Sequence, residues 1–542
     1  CEPERAAEAI RGAWSEVARV RRDGVAEDEV ERVRTIVQTR LLRRLETAEG
    51  QANLLAEWQA MGGWRQAGEY LDRVRAVGPE ALRDVAGRYL DAELATLLVY
   101  RPERAPALGW APDGLAVDLS AGSSPALEPV TLVPLPVPAG RGVRARPVEE
   151  DGVVRYDLGG TLLVVKRRAT APLVSMAVFH GGGAPHETPE VAGITGLMMR
   201  ASVKGTARRS AERIALESER MGGAIAASAG SDLLSWSLTV PSERTDEGLA
   251  LLADVAREPS FPTAEVERER EVLLADLVNL RDDMYRYPLR LLLQAAYADH
   301  PYGYGIDTVE RAVRELDGDA LRRWHAMELG DPEVFVVGDV EPERVAERVA
   351  ALFASAAGSA GARNGRHRAS WPGVARAETV RRERAQTALA IGFPGPDRND
   401  DDAIVLQVLS NAVSGLGNRL FEELRSRRSL AYTVSAYPIS RVSGGAFVGY
   451  IATSPDRAEE ARAALIEELV SLREAPPEEE ALQRARTYTI GAWQIRTQTN
   501  AAQLSELAGA LLLGDGLDEI RTLEARIRAV DADRVVAAAR RW

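Results

Sequence analysis

The chain has 542 residues, 45% of them hydrophobic and 27% charged, with a formal net charge of −13; this is the balance of ordinary globular protein, at a length too great for one core, so several domains are expected. Its arginines are interleaved with glutamate and aspartate, which argues against a nucleic-acid surface, and no apolar run is long enough to cross a bilayer. Cys1 is the only cysteine, which excludes a disulfide framework and a cysteine-based zinc knuckle.

Residues 1–104 read as amphipathic helices followed by one strand. Glu27-Asp28-Glu29 opens a helix with acidic residues in its first turn, where the helix dipole favours them. Leu94 to Tyr100 is an apolar run closed by Arg101-Pro102 and predicts a buried strand. Residues 105–147 are rich in proline, glycine and alanine. In Leu132-Val133-Pro134-Leu135-Pro136-Val137-Pro138 the prolines remove backbone donors, so an extended interdomain linker is expected.

A new domain, 148–355, opens with strands. Val153–Tyr156 and Thr161–Val165 flank Gly159-Gly160, a hairpin signal. A third strand is predicted over Pro172–Phe179, a helix from near Gly193, a long helix from Ala264 to about Met284, and a strand over Val334–Val337. A second linker spans 356–372. The last domain, 373–542, repeats the scheme: strand Thr387–Phe393, helix from Asp401, strand Gly445–Ile451. Strands followed by helix pairs imply an α+β fold of repeated domains, each an antiparallel-rich sheet with helices packed on one face.

An internal repeat supports that organisation. Pro3 to Thr35 runs parallel to Pro455 to Thr487 at an offset of 452 (455 − 3), and Arg34 and Thr35 match Arg486 and Thr487. After one extra residue, Arg75-Ala76-Val77 matches Arg528-Ala529-Val530, and the match runs to Tyr89 against Trp542. A weaker echo, Val313 to Trp324, precedes the strand at Val334. Repeats of this length mean duplicated domains. The first copy carries only the helical tail of its domain and the last copy stops before its final strand. The expectation is therefore a fragment of a longer protein, with Cys1 exposed by where the sequence was cut rather than a lipid-modified terminus.

The chemistry-bearing stretch is Gly193-Ile194-Thr195-Gly196-Leu197-Met198-Met199-Arg200, with Gly205-Thr206 after it. Further landmarks are Glu269 to Asp276, Glu219-Arg220-Met221-Gly222-Gly223, Pro259-Ser260-Phe261 and His300-Pro301-Tyr302-Gly303. On these residues the chain resembles the insulinase-like (pitrilysin, M16) zinc peptidases, which include mitochondrial processing-peptidase subunits. The resemblance implies M16-type, processing-peptidase-like domains and a zinc site on a helix bearing H-x-x-E-H, completed by a distant glutamate. In that motif two histidines four apart and the carboxylate hold zinc, and the intervening glutamate is the general base.

Anchored on Gly205-Thr206, the alignment puts Gly196 and Arg200 at the two histidine positions, Met199 at the base and Asp276 at the distant ligand. An arginine is always cationic and repels a metal ion, and a methionine accepts no proton. This domain is expected to bind no metal and to carry no catalytic residue. Arg200 is free to pair with Asp276 instead. His180, His186, His300, His325 and His367 are the five histidines. His180 and His186 could improvise a metal site with Asp276, but their spacing matches no helix or strand face.

In the last domain, Gly415-Leu416-Gly417-Asn418 precedes Leu424-Arg425, and Leu430-Ala431-Tyr432 follows. This is similar to the family's Gly-rich turn with L-R-x(6)-Y, whose arginine and tyrosine hold the substrate backbone and stabilise the oxyanion. Carried over, Arg425 and Tyr432 would contact substrate. The structural alternative is Arg425 pairing with Glu422 or Glu423 and Tyr432 filling a strand.

The resemblance implies a non-catalytic, substrate-enclosing half of a zinc endopeptidase acting on peptides or unfolded polypeptides. Zinc would be supplied by an H-x-x-E-H-bearing M16 half in cis or in trans. The alternative is a catalytically inert M16-like subunit or scaffold that binds peptide or protein partners. The sequence does not fix the compartment; a bacterial periplasm is favoured over the cytoplasm.

Overall fold

The computed structural model describes residues 1–110, 114–120, 135–136, 146–297, 300–353 and 368–542. It divides into two compact units: Cys1–Pro136 with Leu216–Gly223, and Val137–Ala215 with Ala224–Trp542. The Pro-rich run at 132–138, except 135–136, lies outside the described residues, as do His367 and most of the segment 356–372.

The first unit is helical: α1 (Ala6–Asp23), α2 (Glu27–Leu45), α3 (Ala48–Ala60), α4 (Gln66–Ala76), α5 (Pro79–Tyr89) and α6 (Leu115–Ser120). Glu29 accepts from Ala26 N at 2.9 Å and closes the N-terminus of α2. The predicted strand over Leu94–Tyr100 does not form. Leu94 ends a 3-10 turn and the residues after it join no ladder, with Leu98 92% and Tyr100 101% exposed. An apolar run becomes a strand only where its backbone groups find a partner, and no strand lies among the described residues of this unit. Helix α6 falls within the segment expected to be linker, and its Leu119 is buried.

The second unit holds the seven strands β1 (Val148–Glu150), β2 (Val153–Asp157), β3 (Leu162–Arg167), β4 (Leu173–Gly181), β5 (Ala226–Ala229), β6 (Leu233–Pro241) and β7 (Glu333–Gly338), ordered β1-β2-β3-β7-β4-β6-β5. All neighbours are antiparallel except β3 with β7. The predicted hairpin is present: Leu158 N donates to Thr161 O at 2.9 Å, and Gly159 and Gly160 take φ of 78° and 107°. Its helices are α7 (Ile194–Ser202), the first half of α8 (Ala211–Arg220), whose residues from Leu216 on count with the first unit, α9 (Thr245–Arg257), α10 (Thr263–Asp282), α11 (Arg286–Ala296), α12 (Ile306–Glu315), α13 (Gly318–Glu328) and α14 (Pro342–Leu352).

The last domain contributes β8 (Thr387–Gly395), α15 (Asp402–Val413), β9 (Thr433–Arg441), β10 (Gly444–Thr453), α16 (Ala458–Ser471), α17 (Glu479–Arg496), α18 (Asn500–Ala508), α19 (Leu517–Arg528) and α20 (Ala532–Arg541). Its sheet order β8-β10-β9 repeats the β4-β6-β5 portion of the larger sheet. The internal repeat also reappears as hydrogen bonds. Arg34 donates to Val77 O and to Glu27 and Glu31; Arg486 donates to Val530 O, Glu479 and Gln483.

Strands β4 and β7 are buried on both faces. Met176, Val336, Trp236 and Leu238 face α7 and α9: a Cβ on Gly248 of α9 would lie 3.1 Å from Met176 Sδ, and Trp236 Nε1 donates to Ser202 Oγ of α7. The opposite face, Ala177, Phe179, Phe335 and Val337, packs on Leu504, Leu507 and Ala508 of α18. Asn500, fully buried, donates to Leu173 O at 3.1 Å. The exchange is reciprocal, because α11 covers the free face of the last sheet. A Cβ on Gly392 would meet Leu292 at 2.9 Å, and Tyr297 Oη donates to Gly445 O at 2.6 Å.

Leu504 and Leu507 are 3% and 2% exposed. Leu507→Ala should cost about 2–5 kcal/mol and lower the unfolding midpoint of the second unit as a single transition; a near-UV and far-UV CD melt checks both.

Candidate functional site

Helix α7 is held at both ends by backbone-level constraints. Gly193, at φ 87°, precedes it, and a Cβ there would lie 2.8 Å from Val309. The Glu187 carboxylate accepts from Gly193 N at 2.7 Å and Thr195 N at 3.1 Å, which satisfies donors at the helix start. Burial raises the Glu187 pKa against those hydrogen bonds. Beyond the helix, Gly205 adopts φ 158° with Ser260 and Pro262 about its Cα, and a Cβ would lie 2.9 Å from Pro262. Thr206 Oγ1 then donates to Asp254 Oδ2 at 2.8 Å.

Asp254 is the centre of this anchor. Its side chain is fully buried and also accepts from Arg208 Nε at 2.9 Å and Arg209 Nη1 at 2.6 Å. Burial pushes its pKa up, but the donors from Thr206, Arg208 and Arg209 outweigh it and hold the carboxyl below the usual range. The Gly-Thr landmark that fixed the alignment is thus the bolt between α7 and α9. Asp254 carried no sequence signal of its own, since an aspartate inside an apolar helix could equally have been a surface residue.

Between these anchors the ligand positions of the motif are filled otherwise. Leu197, Met198 and Met199 are buried at 0%, 0% and 1%, so Met199, at the base position, packs into the core. Gly196 faces open space, with no atom within 4 Å of a Cβ built on it. Arg200 pairs with Asp276 of α10 and stands 3.8 Å from Glu269, two turns earlier on the same face of that helix; Lys204 Nζ completes the set at 3.1 Å from Glu269. Two cations and two carboxylates therefore occupy the face where the family holds a metal. Among the described residues no group of three His, Cys, Asp or Glu side chains is arranged to hold an ion. These residues do not fit zinc.

The four described histidines have structural contacts. His186 bonds Glu328. His180 lies edge-on to Trp236 at 5.9 Å, and His325 contacts the same indole at 6.4 Å while bonding Ala256 O. Burial, with the neighbouring His325 adding, pushes His180 down to about 3, and burial also lowers His325. His300 accepts from Tyr302 N.

The second candidate pair is together and open. Gly415, at φ 111°, turns the chain after α15, and Asn418 Nδ2 bonds Asn411 O at 2.9 Å. Ser410 and Ser414 bond Ala436 of β9. The chain then enters a π-helical turn, Phe421–Arg427, a form concentrated at functional positions. Arg425 Cζ lies 4.8 Å from the Phe421 ring centroid and 5.7 Å from that of Tyr432, and Arg425 Nη1 donates to Tyr432 O at 2.9 Å. Glu422 and Glu423 are taken by Arg427. Among the described residues Arg425 has no carboxylate partner, and Tyr432 is 66% exposed just before β9. Neither structural alternative weighed for this pair is present.

Two family models match the chain: Insulinase (Peptidase family M16) over residues 162–308, and the Peptidase M16 inactive domain over residues 320–488. The chain belongs to the insulinase-like M16 family. A Bacillus subtilis protein named as an uncharacterised zinc protease is 27% identical over 394 residues, 70% of this chain and 93% of that protein. A Mycobacterium leprae protein so described is 29% identical over 336 residues, 59% of this chain and 74% of that one. A solved protease from Helicobacter pylori superposes with a TM-score of 0.65 at 18% identity, covering 73% of this chain and 96% of that one. A peptidase M16 inactive domain from Pseudomonas fluorescens gives 0.61 at 20%, covering 74% and 95%. At those identities the structural likeness shows the fold.

Two outcomes follow for stability. Asp254→Asn removes the buried charge on which Thr206, Arg208 and Arg209 converge and should cost about 3–5 kcal/mol. Asp276→Ala, at a half-exposed pair, should cost under about 1 kcal/mol; urea unfolding of both variants ranks them. Below the ordinary histidine pKa the unfolded chain takes up protons that buried His180 refuses. Stability should therefore fall with falling pH from about 6.5, by up to about 1.4 kcal/mol per pH unit for this group. His180→Asn should flatten that slope in melts taken across the range.

Proposed function

We propose that this chain is the non-catalytic, peptide-holding part of an M16 zinc endopeptidase. The zinc chemistry is supplied by an H-x-x-E-H-bearing M16 domain in cis or in trans, and the substrate is a peptide or unfolded polypeptide. The observation that carries the reading is the pairing of an ion-filled α7–α10 face with an exposed, carboxylate-free Arg425–Tyr432 pair. The first removes the metal. The second keeps donors suited to a peptide carbonyl: a guanidinium fork and a phenol, held by rings and a carbonyl rather than neutralised.

Two further features support it. The edge strand β5, Ala226–Ala229, pairs among the described residues with β6 alone and presents small side chains along a largely exposed ladder, a surface on which an extended chain can add as a strand. The names of similar bacterial proteins as zinc proteases agree with a proteolytic setting.

The purified chain should bind a labelled unfolded peptide and leave it uncleaved, with or without added zinc and chelator. Arg425→Ala and Tyr432→Ala should each weaken binding, by about tenfold for a lost charged hydrogen bond, while melting temperatures stay unchanged. Fluorescence anisotropy with mass spectrometry of the peptide reads both. Chelator-sensitive cleavage by this chain, or binding indifferent to both substitutions, would overturn the reading.

A further inference from the structure

Two arginines stand where the 148–353 and 368–542 portions meet, and among the described residues neither has a carboxylate partner. Arg290, on α11, is partly buried and donates to Tyr304 O. Arg441, at the end of β9, lies with Cζ 4.5 Å from the Tyr302 ring centroid. The His300-Pro301-Tyr302-Gly303 landmark builds the platform. A Cβ on Gly303 would lie 2.3 Å from Tyr297 O, so only glycine lets this loop seat on the end of α11. Tyr302 Oη donates to Asp232 Oδ1 at 2.5 Å and accepts from Ser443 N at 3.4 Å, fixing the ring under Arg441.

The nearby acids are already used. Glu187 attracts Arg290 but gives one oxygen to Gly193 N and the other to Thr195 N. Asp232 serves Tyr302 Oη and Val442 N. Burial lowers the Arg290 pKa and the charge of Arg441 lowers it further, so the two guanidinium groups repel. Among the described residues Glu187 is the one carboxylate whose charge acts on Arg290, and two like charges drawn partly out of water with so little compensation are costly. Each fork retains donors whose geometry suits a two-oxygen acceptor.

We propose that Arg290 and Arg441 together bind a small oxyanion, a carboxylate or phosphate group, between α11 and the β9–β10 turn. The site is separate from Arg425 and Tyr432 and from the α7–α10 face, and it does not depend on the peptide-holding role. A peptide C-terminal carboxylate and inorganic phosphate share the required chemistry.

The test is thermal unfolding of the full chain at constant ionic strength. Sodium chloride is replaced stepwise by sodium phosphate, or a short peptide is added as its free acid or its C-terminal amide. A saturable rise in Tm with phosphate marks a phosphoryl ligand, and one with the free acid but not the amide marks a carboxylate; either supports the site. Arg441→Gln should weaken the half-saturation point by about tenfold or more, and Arg441→Lys should restore part of it. Because Arg441 is only partly buried, its variants keep the test usable if Arg290→Gln fails to fold. No saturable response to any probe in the parent chain, or the same response in Arg441→Gln, overturns the proposal. Loss of peptide binding through Arg425 alone would leave it standing.

Discussion

The structure depends on one constraint: strands β4 and β7 are apolar on both faces, so the seven-stranded sheet needs cover from two sides. Its own helices supply one side. The other is supplied by α18, from more than 150 residues further along the chain, about the size of a whole domain. The debt is returned in kind by α11, whose Leu292, Leu293 and Tyr297 close the free face of β8-β10-β9. Each sheet is thus completed by a helix belonging to the other repeat. Arg168 to Asn500 Oδ1 and Gln498 O, and Lys166 to Gln503, add polar register to the apolar contact.

The anchoring of α7 is likewise separate from the positions that a zinc motif would use. What positions α7 is Glu187 at its start, Gly193 and Gly205 at its flanks and Asp254 beneath it. None of these touches the outward face at Gly196 and Arg200. The anchoring residues are bound by backbone geometry and buried charge, where a change costs several kcal/mol, whereas an outward-facing ligand position costs little to replace once metal is not required. Arg200 and Lys204 opposite Asp276 and Glu269 give the helix pair an electrostatic contact in the same place, weaker than a metal because it is partly solvated.

Local pattern carried the fold a long way, and its failures have physical causes. The Gly159-Gly160 hairpin, the Val334–Val337 strand and the long α10 were legible because each is decided within its own segment, by turn chemistry or periodicity. Leu94–Tyr100 has the composition of a strand but no ladder to join, and composition does not record whether a partner exists. The reciprocal helix exchange was illegible for the opposite reason. Leu504 and Leu507 show as the apolar face of an ordinary helix, and nothing local says which sheet that face meets. Of the candidate residues, those identified by motif spacing came together as pairs in space, Arg200 with Asp276 and Arg425 with Tyr432. Asp254 and Glu187, which no motif marked, do the anchoring.

The contrast between the two arginine environments bears on function more than either alone. Arg200 is neutralised by two carboxylates, so its charge is spent within the protein. Arg425 rests on two aromatic rings and one backbone carbonyl, contacts that fix its direction while leaving net charge unbalanced. A guanidinium held in that way keeps most of its attraction for an incoming carbonyl and loses little side-chain freedom on binding, because the rings have already restricted it. The π-helical turn matters here: the widened winding at Phe421–Arg427 lets Phe421 and Arg425 stack on the same side as Tyr432. Preorganisation of that kind is a cost to an isolated fold and an advantage to a binding surface, and of these two environments it belongs to Arg425 and Tyr432 rather than to the ion-paired α7–α10 face.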